Sequence, residues 1–282
     1  RQEETVLLAP EDMLYSFGMS VYGAMAQMVG HPNSPVIMEP IFAIDMHVRA
    51  LSTASLGAMA NIMRATHLDE AIFASLCRES DMYHVLQRCA ILVSRMALTM
   101  PPPMFHDMVR ATASWPDLCR RLISTSATLS LARSRKLVAL GLAHMLRHAS
   151  AQDKGLLSAV PDMIGMWTEV VGEVVEDEAG SADRYERELS PTRALEIGED
   201  GIPFLDEFGL IEAAPTPSSA RTDAVRSRDP SFNVPLRAYV ADTLNAVLQN
   251  GSYKTQLQSL LATIDPLVLD TLQRGLSERP VA

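Results

Sequence analysis

Aromatic residues make up only 5% of this 282-residue chain, too few for a sandwich or barrel whose strands pack on aromatic and β-branched side chains. Cysteine is scarcer still. Cys77, Cys89 and Cys119 leave one over and form no CxxC pair, a pattern that fits free thiols in a reducing compartment and not a disulfide framework or a zinc site. No apolar run approaches the roughly 20 residues needed to span a bilayer, so no membrane insertion is expected. A basic excess is missing too: the formal charge is −10, the wrong sign for a protein that holds nucleic acid by neutralising phosphates. The first residues, Arg1-Gln2-Glu3-Glu4, show neither an initiator methionine nor a signal-peptide pattern, so the sequence is expected to be a piece of a longer chain.

Hydrophobic residues reach 48%, and their spacing is helical. Met82, Val85, Leu86, Cys89, Leu92, Val93 and Met96 advance by threes and fours, as one face of a helix requires. Leu14, Phe17, Val21, Met25 and Met28 repeat the rhythm, as do Leu56, Met59 and Met63, then Met104, Phe105, Met108 and Val109, then Leu257, Leu260, Leu261 and Ile264. Prolines mark the breaks, at 30–35 and at Pro101-Pro102-Pro103, because proline lacks an amide donor and clashes with the preceding turn. Ser114 is placed to cap a helix whose first turn holds Asp117. The pattern predicts helices near 82–99, 103–113, 116–127, 133–149 and 153–176, the last restarted or kinked at Pro161.

Two such helices with their turns take about 40 residues, the length of a HEAT-type repeat. The expected fold is therefore an all-α HEAT-repeat α-solenoid, a stack of antiparallel helix hairpins with an acidic loop insertion. Repeats of this kind bury an apolar face only against their neighbours. Leu137–Leu146, apolar nearly all round, is expected inside the stack, with Gly141 as a point of close approach between helices. The sixteen methionines suit the same role as adaptable filler.

Between Glu169 and Pro230 sixteen acidic residues face six arginines, so this stretch carries the whole net charge. Its prolines, serines and glycines mark it as an insertion. The chain divides into helical repeats over 1–178, the insertion over 179–230 and capping helices over 231–282. Within the insertion lies an apolar island, with Phe204, Leu205, Phe208 and Leu210 as a segment that docks on the chain itself or on a partner.

Catalytic signatures are lacking: there is no phosphate loop, GxSxG or HExxH motif. His144 and His148 lie four apart on a predicted helix but have no third ligand at metal spacing. Cys89 sits on an apolar stripe, where a thiol is inert. No enzyme activity and no cofactor are expected. Two charged groups remain as binding candidates. Glu173, Glu176, Asp177 and Glu178 close a predicted helix at its negative pole, which asks for a compensating cation and suits a basic cargo. Arg120, Arg121, Arg133, Arg135 and Lys136 form the opposite patch, which solvates repeat edges, pairs with the acidic stretch or meets a partner.

Arg135-Lys136-Leu137-Val138-Ala139-Leu140-Gly141-Leu142-Ala143-His144-Met145-Leu146, followed by a helix that ends in an acidic insert, resembles the C-terminal repeats of importin-β-type karyopherins. The close of the chain is similar to the importin-eleven branch. There Asp229-Pro230 leads into Leu236-Arg237-Ala238-Tyr239-Val240, then Leu257–Asp265 and Leu269–Gln273. The resemblance implies a nuclear import receptor that binds protein cargo, meets nuclear pore proteins and shuttles between nucleus and cytoplasm. Cargo release would follow binding of the small GTPase Ran as GTP, through N-terminal repeats that this sequence lacks. A helical-repeat scaffold outside transport and an all-α enzyme built round a cavity are the alternatives.

Overall fold

The computed structural model describes residues 10–31, 37–51, 53–78, 82–153, 155–178 and 229–277. Among these the regular structure is entirely helical. The elements are α1 (Pro10–Gly30), α2 (Met38–Ala50), α3 (Thr53–Ala65), α4 (Leu68–Cys77), α5 (Tyr83–Thr99), α6 (Pro102–Thr112), α7 (Trp115–Ser126), α8 (Ala132–Arg147), α9 (Val160–Glu178), the single turn α10 (Pro230–Asn233), α11 (Leu236–Gln249), α12 (Gly251–Leu261) and α13 (Pro266–Ser277). A 3₁₀ turn, Leu157–Ala159, leads into α9.

Local chemistry sets the boundaries. The Ser114 hydroxyl accepts the Asp117 amide at 3.3 Å and so caps α7. Pro102 and Pro103 open α6, where an amide donor is not needed. Asp229 caps α10 by accepting the Ser231 amide at 3.0 Å, ahead of Pro230 in the first helical position. The helix expected from 153 begins instead at Val160, so Pro161 falls in the first turn. Asp153 is drawn into a loop whose polar bonds outweigh helical continuation.

The helices stack as an α-helical repeat solenoid. In one row α2 packs on α5, α5 on α8 and α8 on α11. In the other α1 packs on α4, α4 on α7, α7 on α9 and α9 on α13. Helices α3 and α6 lie along one edge. Within the first row α5 and α8 run the same way: Gln87 near the start of α5 donates to the Thr128 carbonyl just ahead of α8 at 2.8 Å, while Ser94 meets Gly141 half-way along. Helix α9 returns antiparallel to α8, and the Trp167 indole donates to the Ala139 carbonyl at 3.1 Å.

The core follows the apolar spacing closely. Val85, Leu86, Cys89, Leu92, Val93 and Met96 are all buried, as are Leu56, Met59 and Met63 and the run from Leu137 to Ala143. The expected face of α1 differs: Tyr22 and Val29 are buried, but Phe17 is 71% exposed and Met28 40%. Only α2, α3 and α4 cover α1, so its far side has no neighbouring layer among the described residues to bury it.

Candidate functional site

Central to the stack is α8, whose first turn carries Arg133, Ser134, Arg135 and Lys136. Three cations at a helix N-terminus oppose the helix dipole, so this turn needs anions. Carboxylates reach it from α9, and a hydroxyl and an aromatic ring from α10.

On one flank is α9. Arg135 pairs with Glu173 and, at 3.1 Å, with Glu169. These carboxylates lie in the second half of α9, Glu173 one turn before its end, so the cation they ask for comes from within the chain. The Glu173 side chain stays 40% exposed and that of Glu169 67%. Glu176, Asp177 and Glu178 form the last turn of the same helix, two residues beyond the end predicted at 176.

On the other flank is α10. The Arg133 guanidinium donates from Nε to the Ser231 hydroxyl at 3.2 Å and lies over the Phe232 ring. Asp229, the first described residue after the acidic stretch, is 3% exposed. Its Oδ2 accepts from Arg95 at 2.6 Å, and its Oδ1 accepts from the Ser231 hydroxyl at 2.7 Å. Arg95 donates also to Asp45 of α2 at 2.7 Å, and Arg49 donates to the second Asp45 oxygen at 2.9 Å while standing 3.8 Å from Asp229. Burial pushes both carboxyls up, but the Arg95 and Arg49 charges outweigh it and hold them below the usual carboxylate range. This buried quartet joins α2, α5 and α10. Asp229 and Pro230, at the expected border between insertion and cap, are part of the packed body.

The five cations expected as one patch are divided. Arg120 and Arg121 lie on α7, where Arg120 is exposed and pairs with Asp117 at 2.7 Å. Arg133 and Lys136 are buried, and Arg135 is engaged by α9. The segment with Phe204, Leu205, Phe208 and Leu210 lies outside the described residues.

Two polar clusters escape sequence reading. Asp153, fully buried, accepts from His106 Nδ1 at 2.9 Å, Arg110 at 2.9 Å, the Trp115 indole at 3.1 Å, and both the amide and the hydroxyl of Ser150 at 2.7 and 2.8 Å. It fastens the α8–α9 loop to α6 and α7, beside a cleft of about 300 Å³ lined by Ser150, Leu157, Tyr253 and Gln256. In the second, His144 shares a hydrogen bond with Tyr239 of α11 and its ring lies 4.4 Å from the His148 ring, tilted by 47°. Burial and the neighbouring His148 lower His144 to about 4. The pair spaced for a metal is thus a packing contact between α8 and α11. No group of three or more His, Cys, Asp or Glu among the described residues is arranged to hold a metal ion. Burial raises the Cys89 and Cys119 thiols to about 12. No described helix is long and apolar enough to cross a membrane.

Stacked helix layers with charged edges define a helical-repeat protein of the protein-binding kind. The family model described as importin-11-like, TPR repeats, matches residues 3–277, and the chain belongs to that family. Membership gives it a transport-receptor-like character and places it among non-enzymatic, protein-binding repeat proteins. Comparison with curated proteins and with solved structures found no match.

Proposed function

We propose that this chain is the C-terminal part of a nuclear import receptor that binds protein cargo, shuttles between nucleus and cytoplasm, meets nuclear pore proteins and gives up cargo when Ran-GTP binds N-terminal repeats. The reading is supported by family membership together with one arrangement: the acidic end of α9, with Glu173 anchored by Arg135, is continuous with Glu176, Asp177 and Glu178, from which the acidic stretch departs. Carboxylates on the last turn of a packed helix suit a basic cargo segment, because a cation there satisfies both the acidic groups and the helix pole. Glu173 is part-shared with Arg135, so cargo would compete with an internal cation and bind in a salt-sensitive way.

The complete receptor carrying Glu173→Gln, Glu176→Gln, Asp177→Asn and Glu178→Gln together should bind a basic cargo about 10-fold or more weakly in a low-salt pull-down. Wild-type receptor should lose cargo on addition of Ran-GTP. Unchanged cargo binding by the quadruple variant removes the acidic turn as the cargo site, and cargo retained in the presence of Ran-GTP favours a scaffold outside transport.

A further inference from the structure

The Asp229–Phe232 turn sits on the solenoid as a peptide ligand would. Its helical part, Pro230–Asn233, is four residues long, and two extended residues, Val234 and Pro235, separate that from α11. It touches α8 and α5, two successive members of one row, and its side chains are received by cations from three. Arg49 of α2 and Arg95 of α5 face the Asp229 carboxylate, Arg133 of α8 donates to Ser231, and the same guanidinium covers Phe232. Asp45 supplies the one described carboxylate that shares Arg49 and Arg95 with Asp229. Were the turn to leave, Arg95, 3% exposed, would keep a single carboxylate for two guanidinium groups. The vacated groove would open to water with two guanidinium groups round one carboxylate, a net positive site that favours an incoming carboxylate.

We propose that the groove formed by Arg49, Arg95 and Arg133 is a peptide-binding site that this chain fills in cis, and that it takes in trans an acidic partner segment with the same chemistry: a carboxylate, a hydroxyl two residues on and an aromatic next to it. The inference deepens the protein-binding reading above but uses a different surface from the acidic end of α9. Carboxylate geometry and a stacked aromatic supply the specificity, since arginine holds both a planar anion and a π-face. Occupancy in cis acts as an autoinhibitory contact. A tethered ligand has an effective concentration of about millimolar, so a partner peptide must exceed that level or bind with further contacts.

The test uses an acetylated, fluorescein-labelled peptide with the sequence of residues 229–234 and the full chain. Asp229→Asn with Phe232→Ala should free the groove while leaving Asn as a competent cap. Fluorescence anisotropy should then show the peptide binding at least roughly 10-fold more tightly than to wild type, and a peptide with Asn in place of its Asp should not bind. A folded double variant that binds neither peptide, or both equally, overturns the proposal. Should the double variant show no cooperative melting, hydrogen exchange on wild type decides: roughly millimolar peptide should speed exchange of the Phe232 and Val234 amides, and unchanged exchange rejects the site. Cargo binding through the end of α9 is read by the quadruple variant above, so either idea can fail alone.

Discussion

Gly141 of α8 lies so close to α5 that a Cβ built on it would stand 2.9 Å from both the Cα and the Cβ of Ser94. The obstacle is backbone, which cannot step aside as a flexible side-chain tip can. Gly141→Ala gains about 1 kcal/mol of helix propensity but forces apart the two most central helices, at a cost of about 1–3 kcal/mol. The clash wins, and thermal melting should show a lower midpoint. Gly172 of α9 has nothing within 4 Å of its Cβ position, so Gly172→Ala should instead raise stability by about 0.5–1 kcal/mol. A rise for both variants would mean that α5 and α8 do not approach as described.

Asp153 is the fastener of the α8–α9 loop. Burial pushes its carboxyl up, yet the Ser150 amide and His106 hold it below the usual carboxylate range. Asp153→Ala leaves Arg110, His106 and the Trp115 indole without their shared acceptor, and urea denaturation should show a loss of about 3–5 kcal/mol. Asp153→Asn keeps the shape and part of the hydrogen bonding, so its loss should be smaller.

His144 makes stability depend on pH in a predictable direction. Its folded pKa of about 4 lies below the ordinary value of about 6.5, so the unfolded chain takes the proton first. The neutral form's advantage is complete above pH about 6.5 and is lost as pH falls towards 4. The full effect is on the order of 2–3 kcal/mol. Replacing the imidazole in His144→Phe should flatten the melting temperature over that interval relative to wild type. An equally steep dependence in the variant assigns it to other groups. The Asp45 and Asp229 carboxyls are depressed too, from a lower ordinary value, so their contribution is present above pH about 4 and fails only at lower pH.

Thiol alkylation reports the integrity of the core. Cys89 and Cys119 are buried with thiols raised to about 12, so neither supplies much thiolate at neutral pH. Cys77 is half-buried. Burial raises its thiol too, so native protein should take up one equivalent of maleimide more slowly than a free thiol and the other two only in urea. Rapid labelling of all three thiols would contradict the packing of α5 and α7.

Much of the stack is legible in the order of apolar residues, because burial on one helical face leaves a periodic trace. The run from Leu137 to Leu146 announces the most enclosed helix, and Gly141 within it announces the close approach. Prolines at 101–103 and the Ser114 cap place the boundaries of α6 and α7 within a residue or two. Charge pairing is harder to read, since partners lie far apart in sequence: Arg95 and Asp229 are separated by 134 residues. One sign was present nonetheless. Arg95 falls among Leu92, Val93 and Met96 on an apolar stripe, and a cation there must be paired. Arg133 and Lys136, likewise, count towards a surface patch in sequence but are buried in the fold, and what covers Arg133, Ser231 and Phe232, lies about a hundred residues further along the chain.

The row from α2 through α5 and α8 to α11 has a consequence for how this molecule can vary. Its members α8 and α11 touch directly, although α9 and the acidic stretch come between them in the chain. The row is therefore held together by direct helix-to-helix packing among the described residues. Changing the length of the acidic stretch would leave the packing of α8 on α11 in place.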